Sequence, residues 1–365
     1  MDQTVKFVVQ GSVGIATLTR EKSLNSLTLE TINQLSDRIY NWLEDDSIAC
    51  IVLDSSSDRA FCAGADITAL YQAIKAGDLD GADAFFTNEY RLDHALHQAS
   101  KPIVVWGNGV VMGGGLGLLS GCSHRVGTPD NKIAMPEITI GLFPDAGGTW
   151  LLSHLPDHLG VFMGLTGCQL TAGDALELNM LDCVLEQEVK PEVLRRLSVT
   201  DWSTDNDENH SMISQLLAEH TGELDLPRNL LRHRDTVRQV IADAYDGGDF
   251  LSAFEAGLAE LQGDDWLNMA FQNYRSGSPT TAGIFVEQLN RARGMTLAET
   301  FRLELTIACQ CVRHADFPEG VRALLVDKDK NPGWTYPTAA EVPSNHIAGH
   351  FVPSWQGQHP LVDLG

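Results

Sequence analysis

Two short glycine-rich segments, each after an apolar strand-like run, constrain the fold of this chain most strongly. Segment 63–66 (AGAD) follows the run 48–54, and segment 113–115 (GGG) follows the run 103–112. Because glycine allows backbone conformations and close approaches that side chains forbid, both segments are predicted to be tight loops between a strand and a helix. Each loop can present an uncovered backbone N–H group, and two such groups aimed at one point form an oxyanion hole.

The pattern around these loops is a repeat of strands and helices. Two β-branched runs predict a hairpin, Thr28 is a candidate cap for an amphipathic helix, and a buried strand follows, which gives the order β-β-α-β. A second turn of the β-β-α pattern is predicted after residue 100. The predicted strands lie at 5–10, 13–19, 48–54, 103–112, 125–127 and 132–135.

The length of 365 residues suits two domains, or one large domain with an appendage. The polar, acidic segment 200–209 is the predicted linker. The pattern after it is mainly helical, with Ser278 before a proline and a capping box that starts at Thr296. We therefore expect a core over 1–200 and a helical region over 210–365, which ends in an irregular tail from residue 331.

Charge and composition exclude several classes of partner. The formal net charge is −24 and no cluster of lysine or arginine is present, so nucleic-acid binding is not expected. No apolar run reaches the roughly 20 residues of a membrane helix, so no membrane partner is expected either. Seven scattered cysteines without a secretory signal indicate unpaired thiols in a reducing compartment, and the cytoplasm is the expected location.

Three familiar chemistries are weighed and not favoured. The histidine pairs lack a third ligand for a metal, and Ser120 does not have the G-x-S-x-G spacing of a nucleophile elbow. Gly115 and Gly117 match only two of the three glycines of a dinucleotide-binding fingerprint. No metal site is therefore expected. The histidine pairs are 94/97, 154/158 and 346/350.

Two acidic residues stand in apolar or Gly/Pro sequence and not on a charged face. Glu137 follows Pro136 at the end of the strand-like run 132–135, and Asp145 lies eight residues further on in the sequence GLFPDAGG. A desolvated carboxyl group there has a raised pKa and suits the work of a base or nucleophile. The alternative, which stays open at this stage, is that Asp145 caps the following helix and the glycine loops are merely tight turns.

These same motifs resemble the enoyl-CoA hydratase/isomerase (crotonase) superfamily. The segments 60–66 (AFCAGAD), 112–117 (MGGGLG) and 135–148 (MPEITIGLFPDAGG) carry the resemblance, which extends to 165–167 and 316–329 and covers nearly the whole chain. Within the superfamily, the motifs are most similar to those of the subgroup that hydrolyses 3-hydroxyisobutyryl-CoA.

The resemblance implies an α/β fold, a spiral of β-β-α repeats with a helical C-terminal region. It implies an acyl-CoA thioester as substrate, with coenzyme A as part of that substrate and no further cofactor. The N–H groups of Ala65 and Gly114 would bind the thioester oxygen, and Glu89 would lie beside the acyl group. A homo-oligomer is an open expectation, and Arg20 and Lys22 are the candidate cations for the CoA phosphates.

Two positions separate hydrolysis from hydration in this resemblance. Similar hydratases have a glutamate where this chain has Gly117, and most have glycine where it has Asp145. The resemblance therefore implies thioester hydrolysis. In this reaction Glu137 attacks the carbonyl carbon or activates water, and Asp145 orients Glu137 or the water. The alternatives are a hydratase or isomerase of the same fold and a non-catalytic acyl-CoA-binding protein.

Overall fold

The computed structural model describes residues 4–261 and 263–365. The strands are β1 (Val5–Gln10), β2 (Val13–Leu18), β3 (Cys50–Ser55), β4 (Ala60–Cys62), β5 (Ile103–Gly107), β6 (Val110–Met112), β7 (His124–Gly127), β8 (Lys132–Ala134) and β9 (Cys183–Val184). The α-helices are α1 (Leu29–Glu44), α2 (Ile67–Ala76), α3 (Leu79–Gln98), α4 (Gly114–Ser120), α5 (Gly148–Ser153), α6 (Leu159–Thr166), α7 (Ala172–Glu177), α8 (Lys190–Ser198), α9 (Asn206–Ala218), α10 (Arg234–Asp246), α11 (Phe250–Glu260), α12 (Asp265–Ser276), α13 (Pro279–Ala292), α14 (Leu297–Cys311), α15 (Asp316–Val321) and α16 (Ser344–Gly349).

The chain forms two compact units, and each collects segments from distant parts of the sequence. Unit 1 contains the residues up to Ala65 together with Leu92–Ile133 and Leu170–Asn229. Unit 2 contains Asp66–Arg91, Ala134–Gln169 and Leu230–Gly365. The predicted division into 1–200 and 210–365 refers to continuous stretches of sequence, whereas these two units are defined by contacts in space. The division along the sequence therefore stays a prediction.

The segment predicted as a linker lies within unit 1, where it is irregular up to Asp205 and then forms the start of α9. The Asp205 side chain accepts hydrogen bonds from the N–H groups of Asp207 and Glu208 and so caps α9. Asn209 is buried and exchanges two hydrogen bonds of 3.0 Å with the backbone of Ser203. These local bonds explain the polar, acidic sequence better than a connection between domains does.

Unit 1 contains two sheets, and from β3 to β8 successive strands along the chain belong alternately to the first and to the second sheet. The first has the order β1-β2-β3-β5-β7-β9, with β1 and β2 antiparallel and the other neighbours parallel. The second has the order β4-β6-β8. Each of β3, β5 and β7 is followed along the chain by a strand of the second sheet, and this confirms the predicted α/β architecture of β-β-α repeats.

The predicted single strand over 103–112 is two strands, β5 and β6, which belong to different sheets. Gly109 lies between them with φ +59°, and a Cβ atom at this position would come 2.3 Å from the Arg59 carbonyl oxygen. The Asn108 side chain is buried and donates a 2.9 Å hydrogen bond to the Ser57 carbonyl. The chain therefore turns here because of contacts with a segment about fifty residues earlier, which the local apolar pattern does not reveal.

Burial of both faces explains why the central strands are nearly continuous apolar runs. Every residue of β3 and of β5 is buried, as expected for parallel strands that are covered on both sides. One core cluster packs Val52, Val104 and Trp106 of these strands against Leu197 of α8 and Ile213 of α9.

Unit 2 is largely helical, and two of its helices hold the loop between Phe143 and Thr149. Glu304 of α14 is fully buried and accepts 2.9 Å hydrogen bonds from the N–H groups of Gly147 and Thr149. Gln288 of α13 donates to the Pro144 carbonyl at 3.1 Å and to the Thr149 hydroxyl. The predicted caps are confirmed: Ser278 caps α13 and Thr296 forms a capping box at α14.

The last segment, predicted to be an irregular tail from residue 331, contains only the short helix α16 and a three-residue 3₁₀ turn as regular elements among its described residues. Its end is fixed by two arginines of unit 2. Arg91 of α3 forms a bidentate ion pair with Asp363 at 2.7 and 2.8 Å, and Arg302 of α14 donates to the carbonyls of Leu361 and Leu364.

Replacement of Glu304 is expected to destabilise the protein in a pH-dependent way. Glu304→Gln leaves one backbone N–H group without an acceptor, so we expect a loss of about 1–3 kcal/mol near pH 5. Burial raises the pKa of Glu304 to about 8, so the wild type loses stability as pH rises from about 4.5 to about 8. The cost of the substitution should therefore shrink towards pH 8, as measured by urea unfolding.

Glu299→Gln, on the same helix, is the matched control. Glu299 is the exposed member of the capping box, and glutamine serves that role almost as well as glutamate. We expect a small stability change in this variant with no trend between pH 5 and pH 8. A cost of Glu304→Gln that rises with pH would contradict the role given to Glu304.

Candidate active site

The two glycine-rich loops of unit 1 touch each other. Gly64 has φ +94°, and a Cβ atom there would lie 3.0 Å from the Met112 carbonyl oxygen and 3.4 Å from the Gly114 nitrogen. The Leu27 N–H donates a 2.8 Å hydrogen bond to the Gly64 carbonyl, which fixes the first loop through a bridge between Leu27 and Ala65. The Ala65 N–H takes no part in that hydrogen bond.

The glycine triplet is required by the way in which α4 begins. Gly113 has φ 51° and ψ −128°, a conformation that residues with a Cβ atom rarely adopt. A Cβ atom on Gly115 would come 2.2 Å from the Cys62 carbonyl oxygen, so only glycine allows this approach of α4 to β4. Gly114 is the first residue of α4, where the backbone N–H has no partner within the helix. The N–H groups of Ala65 and Gly114 thus belong to two adjoining loops.

The two predicted acids are both buried in unit 2. Glu137 begins a 3₁₀ turn, Glu137–Ile140, and is 5% exposed, while Asp145 is 4% exposed. The Tyr90 hydroxyl donates a 2.7 Å hydrogen bond to Oδ2 of Asp145. Oε2 of Glu137 is buried and has no hydrogen-bond partner among the described residues.

The turn that carries Glu137 is enclosed by residues from the C-terminal half of unit 2. The Ser278 N–H donates to the Ile138 carbonyl at 3.0 Å. A Cβ atom on Gly320 would lie 2.5 Å from the Ile140 carbonyl oxygen, and one on Gly141 would lie equally close to the Asp316 oxygen. This close backbone packing fixes the turn that presents the Glu137 side chain.

Asp145 does not cap the following helix. The N-cap of α5 is Gly147, which has φ 81° and offers no side chain, and the Asp145 carboxyl group is bonded to Tyr90 instead. The backbone around it is strained at Ala146, which has φ 52° and is a non-glycine residue in the left-handed region. The alternative interpretation of Asp145 as a helix cap is therefore wrong.

Burial raises the pKa values of both acids, and repulsion by Asp145 adds to this effect at Glu137. Burial raises the pKa of Asp145 to about 6, although the hydrogen bond from Tyr90 acts in the opposite direction. Burial and the neighbouring charge of Asp145 raise the pKa of Glu137 well above its ordinary value. The pair therefore keeps a proton near neutral pH, and one of the two carboxyl groups can act as an acid while the other acts as a base.

Glu89 and Tyr90 adjoin each other on α3 and are both almost completely buried. Burial, together with the charges of Asp145, Glu304 and Glu89, raises the pKa of Tyr90 well above its ordinary value, so its hydroxyl group stays protonated as a donor. Glu89 and Asp145 thus lie close to Tyr90, and Glu137 lies close to Asp145.

Two residues of this acidic cluster, Tyr90 and Glu304, are not predicted from the sequence. For Glu304 a local signal exists: it lies on the same helical face as Phe301, Leu305 and Ala308, and a charged residue within a buried face must have a partner. Tyr90 offers no such signal, because its partner is fifty-five positions away in the sequence.

The remaining candidate residues from the sequence are described by their local hydrogen bonds or by their exposure. The Ser120 hydroxyl donates to the Gly117 carbonyl at 3.0 Å, and Arg20 donates to the backbone and side chain of Ser26. Lys22 is exposed. Within residues 4–261 and 263–365, no cluster of three or more histidine, cysteine or acidic side chains has an arrangement suited to a metal ion. In the same part of the chain, every helix is too short or too polar to cross a membrane.

Comparison with known proteins identifies the family. The model of the family described as enoyl-CoA hydratase/isomerase matches residues 13–351. The chain is 32% identical over 351 residues to the mitochondrial 3-hydroxyisobutyryl-CoA hydrolase of Gallus gallus, which covers 94% of this chain and 87% of that protein. The human protein of that name is 32% identical over 345 residues, and 3-hydroxyisobutyryl-CoA hydrolase 1 of Arabidopsis thaliana is 32% identical over 328 residues. These matches cover 94% and 89% of this chain and 86% and 85% of those proteins.

Solved structures have the same fold. A carnitinyl-CoA dehydratase from Mycobacterium thermoresistibile has a TM-score of 0.86 and 31% identity, with 96% of this chain and 97% of that chain covered. An enoyl-CoA hydratase from Rhodobacter sphaeroides 2.4.1 has a TM-score of 0.84 and 29% identity, with 96% and 98% covered.

The expected cytoplasmic location is wrong, because the vertebrate relatives are named as mitochondrial proteins. All seven cysteines are buried and no disulfide is formed among the described residues, but thiols of this kind do not distinguish one reducing compartment from another. The fold, the two adjoining glycine loops and the family match over 13–351 lead to one conclusion. The chain belongs to the enoyl-CoA hydratase/isomerase family.

Proposed function

We propose that this protein hydrolyses the thioester of 3-hydroxyisobutyryl-CoA, and of other short 3-hydroxyacyl-CoA substrates, to the free acid and CoA, as in valine degradation. The buried pair of Glu137 and Asp145 carries this proposal, because thioester hydrolysis needs a nucleophile or base together with a group that handles its proton. The names of relatives that are 32% identical over most of the chain support the same reaction.

In the proposed reaction, the N–H groups of Ala65 and Gly114 bind the thioester carbonyl oxygen. Negative charge develops on that oxygen when the carbonyl carbon becomes tetrahedral, and fixed N–H donors stabilise it without reorganisation. The first turn of α4 adds the positive end of its peptide dipoles at Gly114. The contact between the two loops supports their joint assignment as an oxyanion hole.

Two routes use the acid pair. In the first, Glu137 passes its proton to Asp145 and attacks the carbonyl carbon, the C–S bond breaks, and the CoA thiolate takes the proton. Water then hydrolyses the mixed anhydride. In the second route, the ionised acid takes a proton from water, the resulting hydroxide attacks the same carbon, and the other acid protonates the leaving thiolate. Both routes need one proton shared by the pair.

Glu89 is the proposed partner of the 3-hydroxyl group of the substrate. Its side chain is 1% exposed and its charge acts on Tyr90, so it belongs to the same acidic cluster as Asp145. A carboxylate accepts the hydrogen bond that a substrate hydroxyl must make when it leaves water. Coenzyme A enters as part of the substrate, and the proposed chemistry uses no further cofactor.

Hydration of an enoyl-CoA is the second candidate function. The solved structures of a carnitinyl-CoA dehydratase and an enoyl-CoA hydratase, 31% and 29% identical, favour it. Against it, the position two residues after the glycine triplet is Gly117, which is buried within α4 and supplies no carboxylate. This chain therefore lacks the first of the two glutamates with which similar hydratases add water across a double bond.

Release of CoA thiol separates these functions. We expect the wild-type protein to release thiol from 3-hydroxyisobutyryl-CoA, as detected with a thiol reagent, and to hydrate crotonyl-CoA negligibly, as detected by loss of enoyl thioester absorbance. Gly117→Glu is expected to add at most a trace of hydration, because the position is buried. Substantial hydration by the wild type would contradict the argument from Gly117, and binding without turnover of either substrate would indicate a non-catalytic protein.

Substitution of the two acids tests their shared role. Glu137→Gln keeps the shape of the side chain and removes the base, so kcat for thiol release should fall by about 10²–10⁴-fold. Asp145→Asn should also lower kcat, because an amide cannot exchange the proton of the pair. If the two residues act as one unit, the double variant should be little worse than the worse single variant.

Thermal unfolding of the same variants distinguishes lost chemistry from lost structure. Because both substitutions keep the side-chain shape and leave at most one charge in the pair, we expect each variant to unfold at a temperature close to that of the wild type or above it. Near-normal kcat in Glu137→Gln would remove this mechanism, and near-normal kcat in Asp145→Asn would leave Glu137 as the sole acid.

A further inference from the structure

Tyr90 lies in a rigid aromatic environment within unit 2. It is fully buried on α3, with the Phe86 ring centroid at 6.0 Å and the Phe301 ring centroid at 5.9 Å. Its hydroxyl group donates a 2.7 Å hydrogen bond to Oδ2 of Asp145, a normal length for a hydroxyl donor. Packing against these two aromatic rings restricts the direction from which Asp145 receives its hydrogen bond.

The two acids of the pair differ in their hydrogen bonds. Asp145 accepts from a donor that cannot be lost at ordinary pH, whereas Oε2 of Glu137 has no partner within the described chain. An ionised carboxylate is stabilised by a donor, and a protonated carboxyl group tolerates the lack of one better. The negative charge of the pair is thus more stable on Asp145 than on Glu137.

The groups around Tyr90 and Asp145 are acidic. The charges of Glu89 on α3 and Glu304 on α14 raise the pKa of Tyr90. The charge of Asp145 raises the pKa values of Glu137 on its 3₁₀ turn and of Glu304 and Cys311 on α14. Each further negative charge in this buried cluster raises the free energy of the next. The cluster is therefore most stable when few of its members are ionised. Ionisation is favoured at Asp145, which accepts a hydrogen bond from the neutral Tyr90 hydroxyl group.

We propose that Tyr90 is a positioning residue that keeps the charge of the acid pair on Asp145 and leaves the proton on Glu137 in the resting enzyme. This inference rests on the proposed hydrolysis, since it states how the pair is prepared for that reaction. Glu137 then loses its proton only when the reaction begins, and Asp145 is the group that receives it.

Removal of the hydroxyl group should move the pH dependence of the reaction. Without its donor, Asp145 holds a proton to higher pH, so the acidic limb of kcat/KM should shift upward by about one to two pH units in Tyr90→Phe. The wild-type limb is expected near pH 6, the pKa of Asp145. Well above the shifted limb, the variant should recover activity to within a few fold of the wild type.

Tyr274→Phe is the matched control. Tyr274 is another buried tyrosine of unit 2, and its hydroxyl donates to the Leu251 carbonyl at 3.3 Å and not to a carboxyl group. Its loss should leave the position of the limb unchanged. A uniform loss of activity at every pH in Tyr90→Phe, with an unmoved limb, would show that Tyr90 only supports the fold and would overturn the inference.

Infrared pH titration tests the same inference on the unliganded protein, whether or not it proves to be a hydrolase. The carboxyl band that persists at neutral pH should disappear in Glu137→Gln, and the band that titrates near pH 6 should disappear in Asp145→Asn. Glu304→Gln identifies the band of the third acid. Tyr90→Phe should raise the midpoint of the Asp145 band, and a neutral-pH band that disappears in Asp145→Asn instead would overturn the inference.

The two tests fail separately. If the wild type releases no thiol from 3-hydroxyisobutyryl-CoA but the infrared bands behave as expected, the proposed substrate is wrong and the role of Tyr90 stands. If thiol is released but neither the limb nor the Asp145 band moves in Tyr90→Phe, the hydrolase stands and the role of Tyr90 is wrong.

Discussion

The hydrogen bond from Tyr90 to Asp145 is the contact around which the acidic cluster of unit 2 is arranged. A buried carboxylate without a donor costs several kcal/mol, and this cluster contains several carboxyl groups with little access to water. Tyr90 stabilises one of them directly. Glu304 is stabilised by two backbone N–H groups, and those same bonds fix the loop that presents Asp145 to Tyr90.

In unit 1, backbone packing fixes the two glycine loops, whereas in unit 2 side-chain hydrogen bonds fix the acidic cluster. The loops of Ala65 and Gly114 adjoin because Gly64 and Gly115 have no Cβ atom, and an added methyl group would meet a carbonyl oxygen in each case. The geometry of the two N–H groups is therefore set by main-chain atoms, which move less than side chains. The acids need a different solution, since only side chains can hold and transfer a proton.

Much of this arrangement follows from local sequence, and the rest depends on distant contacts. The hairpin, the helix caps at Thr28, Ser278 and Thr296, and the glycine loops were predictable, because each is determined by a few adjacent residues. The break at Gly109 was not, since it depends on the Arg59 carbonyl. Tyr90 was missed for the same reason, because no local pattern shows that its hydroxyl group meets Asp145. The cellular location was predicted wrongly, because amino-acid composition does not distinguish one reducing compartment from another.

The net charge of −24 raises the question of how so acidic a chain accepts an anionic CoA thioester. Exposed charges are screened by salt over about 8 Å, so surface acids act weakly on a substrate beyond that distance. Buried carboxylates are screened much less, and their ionisation therefore matters more than the total charge does. A pair that retains one proton presents a single negative charge where two would otherwise repel each other. Proton retention by the buried acids, more than any surface patch, is thus what makes this acidic sequence compatible with the chemistry proposed for it.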